Sequence, residues 1–146
     1  HIIRKGASGN GKTYTSNALG EAACRKFLSV RYIRMPELLD ELGYAKSNNE
    51  FKKTVKAYRN VDLLILDEFL LNDLTQPEQL FLFELIERRY DKTSTMFCTQ
   101  YRMEDWHARL GGGVHADAIL DRIVHNVEVI YAGRLNMREV HAVKER

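Results

Sequence analysis

The spacing of apolar positions along this chain switches repeatedly between the strand period and the helix period. Residues 1–5 (HIIRK) read as a short strand. Residues 12–28 place Leu19, Ala22, Ala23 and Phe27 at helical spacing, and 29–35 (SVRYIRM) return to a strand. A second helix is predicted over 36–45: Pro36 suits a first turn, Leu38, Leu39 and Leu42 share one side, and Gly43 marks its end. Residues 49–60 are amphipathic, with Phe51, Val55 and Tyr58 on one face and Lys52, Lys56 and Arg59 on the other. The run 61–69 (VDLLILDEF) is almost continuously apolar, as in a strand covered on both faces. A long helix over 76–92, a strand over 93–100, a helix over 114–126 and closing strands in VEVIYAG and LNMREVHAV complete the pattern. Strands alternating with helices imply a parallel sheet flanked by helices.

Composition narrows this only slightly. A chain of 146 residues suits one domain, and 45% hydrophobic with 29% charged residues is ordinary for a globular protein. A net charge of +2 makes no global case for an acidic partner, so local clusters must carry one. Cys24 and Cys98 stand apart in apolar contexts, which reads as two buried, reduced thiols of a cytoplasmic protein. No apolar run approaches the ~20 residues a bilayer requires, so no membrane partner is expected. The opening HIIRKG lacks a methionine, and residues 1–146 are read as one ATPase domain cut from a longer protein inside its first strand.

The chemistry concentrates in GASGNGKTYT, residues 6–15. It fits G-x-x-x-x-G-K-[ST], after a predicted strand and at the start of a predicted helix, which is the context a phosphate loop needs. Polyphosphate is cradled by inward-pointing backbone N–H groups, and glycine permits both the angles and the close approach. Gly6, Ala7, Ser8, Gly9, Asn10, Gly11, Lys12, Thr13 and Tyr14 are therefore the candidate ATP/ADP-binding residues. Lys12 brings charge to the β- and γ-phosphates, and the Thr13 hydroxyl suits Mg²⁺. A second element is LLILDE, where Asp67 and Glu68 end an apolar strand. Asp67 is assigned to the Mg²⁺ shell and Glu68 to the attacking water as general base. Parallel order places them beside the phosphate loop, at the sheet edge where ligands bind. The adjacent acids favour a hydrolase over a kinase, which must exclude water. Gln100, at the end of the next strand, is a candidate contact to the γ-phosphate or the water.

The segments GASGNGKT, DLLILDEF, LFELIERRYDKTST and AILDRIVHN, in this order, resemble the IstB family of transposition helper ATPases and its sister group, the DnaC/DnaI-type helicase loaders. The resemblance covers nearly the whole chain and implies a P-loop NTPase of AAA+ type, with a parallel five-stranded sheet; in a departure from many AAA+ proteins, no separate helical lid is expected, since only about 20 residues follow the last predicted helix. It also implies self-association through ATP-bridged subunit interfaces, double-stranded DNA and a transposase as partners, and Arg122 as an arginine finger supplied to a neighbouring subunit. An ion pair to Asp121 or Asp117 is the structural alternative for Arg122. The family usually carries asparagine where this chain has Gln100, which shifts the amide by one methylene.

Lys46, Lys52, Lys53, Lys56 and Arg59 face only Glu50 in their stretch, and Lys52, Lys56 and Arg59 share a helical face. Initiator-like AAA+ proteins track DNA backbones with helices near this region, so these five residues are the candidate DNA contacts. A second basic-aromatic group, Arg102, Trp106, His107 and Arg109, reads as a packed loop or subunit contact. The expected function is a DNA-bound, oligomerising ATPase that prepares target DNA for a transposase. The alternatives are a helicase loader and a nucleotide-gated binding module that scarcely hydrolyses ATP.

Overall fold

A computed structural model of the chain describes residues 2–5, 29–90, 93–125 and 128–131. Five parallel strands form one sheet: β1 (Ile2–Lys5), β2 (Val30–Arg34), β3 (Leu63–Asp67), β4 (Ser94–Thr99) and β5 (Glu128–Tyr131). Their spatial order is β2-β3-β4-β1-β5. Five helices are described between them: α1 (Met35–Ser47), α2 (Phe51–Arg59), α3 (Gln76–Arg89), α4 (Met103–Arg109) and α5 (Gly113–Val124). The expected five-stranded parallel sheet is present. The predicted helix over 12–28 and the predicted strand in LNMREVHAV lie outside the described residues.

All five residues of β3 are buried, as the apolar run required. One face of the sheet, through Ile33, Leu64, Leu66 and Phe97, joins a core to which every described helix contributes, from Leu38 and Leu42 of α1 to Ile119 and Ile123 of α5. Leu63, Ile65, Met96 and Cys98 form a second buried cluster on alternate strand positions, hence on the other face.

Two local expectations change. Helix α1 runs through Gly43 to Ser47, because Leu42 and Ala45 are both buried and the apolar stripe continues past the glycine. Helix α4 was not foreseen; its one buried residue, Trp106, packs edge-on against Phe69 at 5.1 Å and donates its indole N–H to Tyr101 O at 3.1 Å. Tertiary packing of one aromatic, rather than propensity, holds so short a helix. Helix α3 opens with a reciprocal capping box between Thr75 and Glu78, with Pro77 in its first turn. The turn into α5 needs glycine at 111, where φ is +98° and a Cβ would stand 2.9 Å from the Gln79 amide nitrogen. That amide donates to Leu110 O at 2.8 Å and Gly112 O at 3.0 Å, fixing where α5 begins.

At the end of α3, Arg89 is 1% exposed. Its guanidinium donates to the carbonyls of Tyr58, Val61 and Ser94 and to the Thr95 hydroxyl. It therefore stitches the end of α2 and the entry to β3 onto β4. Burial pushes its pKa down to about 10, still far enough above neutrality to keep it charged. Replacing Arg89 with methionine is expected to lower unfolding free energy by about 3 kcal/mol, since buried carbonyls lose their donors. Urea unfolding monitored by circular dichroism checks this; a midpoint within error of the parent would refute it.

Candidate active site

The candidate site begins where β3 runs out. Asp67, 4% exposed, is held by two donors: the Tyr32 hydroxyl reaches Oδ2, and the Glu68 backbone N–H reaches Oδ1 at 2.9 Å. Partial burial first, and the facing Asp67 carboxylate second, push the Tyr32 phenol well above its ordinary pKa, so it stays a donor at every working pH. Tyr32 reaches Asp67 because β2 and β3 pair in parallel with Arg34 level with Asp67.

Glu68 leaves the strand in a left-handed conformation, φ +53°, which swings its carboxylate away from the β3 axis. Arg34, the last residue of β2, meets it there. Its Nε donates at 2.9 Å and its Nη2 at 2.6 Å, both to Oε2, and its Nη1 reaches Glu37 at 3.2 Å. The bond to Glu68, then the charge of that carboxylate, raise the Arg34 pKa. Among the described residues, both Arg34 donors converge on Oε2 and none meets Oε1 of Glu68. The following turn is tied to β4 by Phe69 N–H donating to Cys98 O at 2.8 Å.

At the tip of β4, Thr99 is fully buried and Gln100 is exposed, donating to the Tyr101 hydroxyl at 3.2 Å. Leu66 of β3 is level with Phe97 of β4, and Phe97 with Ile3 of β1. Asp67 and Arg4 are the next residues along, so β1 delivers the chain into residues 6–14 at the same sheet edge. One strand intervenes, putting β3 and β1 roughly 10 Å apart at the usual strand spacing. The phosphate-loop residues themselves, Lys12 and Thr13 among them, lie outside the described residues.

A cavity of about 220 Å³ on the α1 side of Glu68 is lined by Met35, Leu39, Asp40, Glu68, Asp73 and Glu78, among others. Its carboxylates repel a triphosphate. Among the described residues, no three or more His, Cys, Asp or Glu side chains gather as a metal cage. A single buried carboxylate at the edge fits Mg²⁺, which keeps several waters and takes one or two carboxylates beside substrate phosphates.

The profile of the IstB-like ATP binding protein family matches residues 1–144. The chain belongs to this family. It is 36% identical over 140 residues to a putative insertion sequence ATP-binding protein of Sinorhizobium fredii, covering 96% of this chain and 56% of that protein. Its fold resembles DnaI (TM-score 0.74, 19% identity, covering 89% of this chain and 71% of that one). It also resembles the replication initiator DnaA bound to AMPPCP and single-stranded DNA (TM-score 0.71, 20% identity, 89% and 39% covered). The fold is thus that of AAA+ P-loop domains. The chain spans about half the length of the curated relatives it matches.

Two other groups expected for this IstB-like chain can be placed. Arg122 sits on α5 and is turned back onto α3: its Nε pairs with Glu87, its Nη1 donates to Ala118 O at 3.3 Å, and it lies over the Phe83 ring at 5.2 Å. The ion pair weighed as the structural alternative for Arg122 is present, but with Glu87 rather than Asp121 or Asp117; Asp117 bonds His107 at 2.8 Å. On α2, Lys52, Lys53 and Lys56 are exposed and Arg59 is half-buried; Lys46 lies over the Phe51 ring at 5.4 Å. Lys52, Lys56 and Arg59 line a groove of about 200 Å³ with Phe51 and Val55 and with Arg88 and Glu84 of α3, which pair with each other at 2.9 Å. Arg88 was not foreseen, because its helix is distant in sequence. Tyr32 and Arg34 were likewise missed; the signal was their place at the end of the strand that pairs with β3. Among the described residues, no helix is long and apolar enough to cross a membrane.

Proposed function

We propose that this IstB-like chain is the ATPase domain of a protein that self-associates on double-stranded DNA and serves a transposase. The observation that carries the reading is the Asp67–Glu68 pair at the carboxyl edge of the sheet, level with the strand that leads into the phosphate loop. Lys12 and the loop amides would hold the triphosphate, and Thr13 with Asp67 would hold Mg²⁺. When bound, Mg²⁺ neutralises charge developing on the phosphates. Glu68 would accept a proton from water through Oε1 as the water oxygen attacks the γ-phosphorus and the bond to the β-phosphate oxygen breaks, giving ADP and phosphate. Gln100, just past the end of β4, would orient that water or the γ-phosphate. Isothermal calorimetry of the full-length protein with ATP, with and without Mg²⁺, tests the binding half: heat that depends on magnesium supports the reading, and its absence removes it. Insertion-sequence names among the relatives favour a transposase client over a helicase.

The α2 surface supports the DNA half. Lys52, Lys53 and Lys56, with Lys46 and Arg59 at its ends, would meet backbone phosphates, which position a protein without reading sequence. Arg88 extends that surface across the groove. Charge reversal at both Lys52 and Lys56 (Lys52→Glu with Lys56→Glu) is expected to weaken duplex binding on the order of tenfold or more. It should also flatten the slope of log affinity against log salt by about 2. Unchanged affinity and slope in a salt titration would remove the assignment.

A further inference from the structure

Two of the three residues after Asp67 adopt a backbone that side chains disfavour. Glu68 has φ +53° and Leu70 has φ +63°. A left-handed residue other than glycine, asparagine or aspartate is disfavoured by its own Cβ and persists only where its surroundings over-determine it. Leu70 is fully buried, and among the described residues its N–H meets a weak acceptor, Met35 Sδ at 3.3 Å. The carbonyls of the turn find a stronger partner. Arg109, the last residue of α4, donates from Nε to Leu70 O and from Nη2 to Leu71 O, both at 2.7 Å. The carbon at the centre of its guanidinium lies over the Tyr101 ring, 3.7 Å from the centroid, and its own carbonyl accepts from Leu74 N–H at 3.1 Å. Asp73 stands 3.5 Å from Nη1.

We propose that Arg109 is a positioning residue: its two-pronged grip on Leu70 O and Leu71 O holds the Glu68–Leu71 turn, and so aims the Glu68 carboxylate. The inference rests on the reading of Glu68 as general base. Geometry explains why the grip takes arginine. Two parallel N–H donors from one planar group match two successive carbonyls, whereas a lysine ammonium is a point charge on a flexible stem. The Tyr101 ring beneath the guanidinium fixes its plane. Tyr101 also receives the Gln100 amide, so the β4 tip and the Glu68 turn share one support.

The test is made in the full-length protein with Arg109→Lys, and with Asp73→Asn as a control that touches Arg109 but neither carbonyl. Hydrogen exchange read by mass spectrometry should speed on the order of tenfold over 68–71, with Leu64–Leu66 and Met96–Cys98 as protected as in the parent. ATP turnover with duplex DNA should fall about tenfold in kcat with KM within threefold, since misaiming a base costs the chemical step rather than binding. Asp73→Asn should change neither reading. Unchanged exchange over 68–71, exchange rising equally through β3 and β4, or a loosened turn with parental kcat would each overturn the proposal. If the parent protein shows no turnover, or Glu68→Gln leaves it intact, the catalytic reading fails and the proposal with it; exchange then still decides whether Arg109 holds the turn.

Discussion

Glu68→Gln is expected to lower DNA-stimulated ATP turnover by a factor of about 10² to 10⁴, the usual contribution of a positioned general base. Nucleotide affinity should change little. Glutamine keeps the shape of the side chain and can still meet Arg34, whose Nε and Nη2 both converge on the oxygen Oε2. What it loses is the acceptor at Oε1 that would take the water proton. Steady-state turnover with calorimetric Mg²⁺–ATP binding separates the two effects. Binding retained with turnover lost supports the assignment; turnover within threefold of the parent would sink it, and the conserved shape would then exclude misfolding as a cover. Asp67→Asn makes a useful contrast in the same assay. Its carboxylate is buried and already bonded to Tyr32 and to the Glu68 N–H, so its loss should weaken Mg²⁺-dependent binding as well as turnover.

What could be read from the sequence was whatever depended on local pattern. The run from Leu63 to Leu66 announced a strand buried on both faces, and the acids after it announced a strand end at the ligand edge. Pro36 marked a helix start that the structure contains. What stayed hidden depends on register and on packing between distant segments. Arg34 meets Glu68 only because β2 pairs with β3 one residue before the acids end. Tyr32 had no local reason to face Asp67. Helix α4 is short, polar and uncapped by side chains, and exists because Trp106 has a place against Phe69. The partner of Arg122 was sought on its own helix, at Asp117 or Asp121, whereas the packing of α5 on α3 brings Glu87 to it. The phosphate loop, the strongest signal in the sequence, remains a reading of residues alone, supported by where β1 delivers the chain.

Arg122→Ala is expected to reduce turnover of the DNA-bound assembly by about 10³, the scale of an arginine finger. Among the described residues Arg122 pairs with Glu87 and lies over Phe83 on α3. That resting pair does not forbid a role in a neighbour's site. Arg122 and Glu87 are 27% and 44% exposed as side chains, and ion pairs of such exposure are typically worth only about 0.2–1 kcal/mol. A triphosphate offers the guanidinium more charge at the same cost in ordering, so release is affordable on assembly. Mixing two inactive proteins decides whether the arginine acts across subunits. A subunit with Arg122→Ala keeps its own Glu68; a subunit with Glu68→Gln keeps its Arg122. If the finger acts on a neighbour, mixed assemblies contain sites with both groups and recover a measurable fraction of parental turnover. If Arg122 acts within its own chain, or only braces α5 against α3, the mixture stays as inactive as its components. Glu87→Gln separates those last two cases, because it frees Arg122 without removing it. Turnover equal to the parent or a few-fold higher fits a finger held in reserve, while a loss matching Arg122→Ala makes the pair a brace and ends the finger reading.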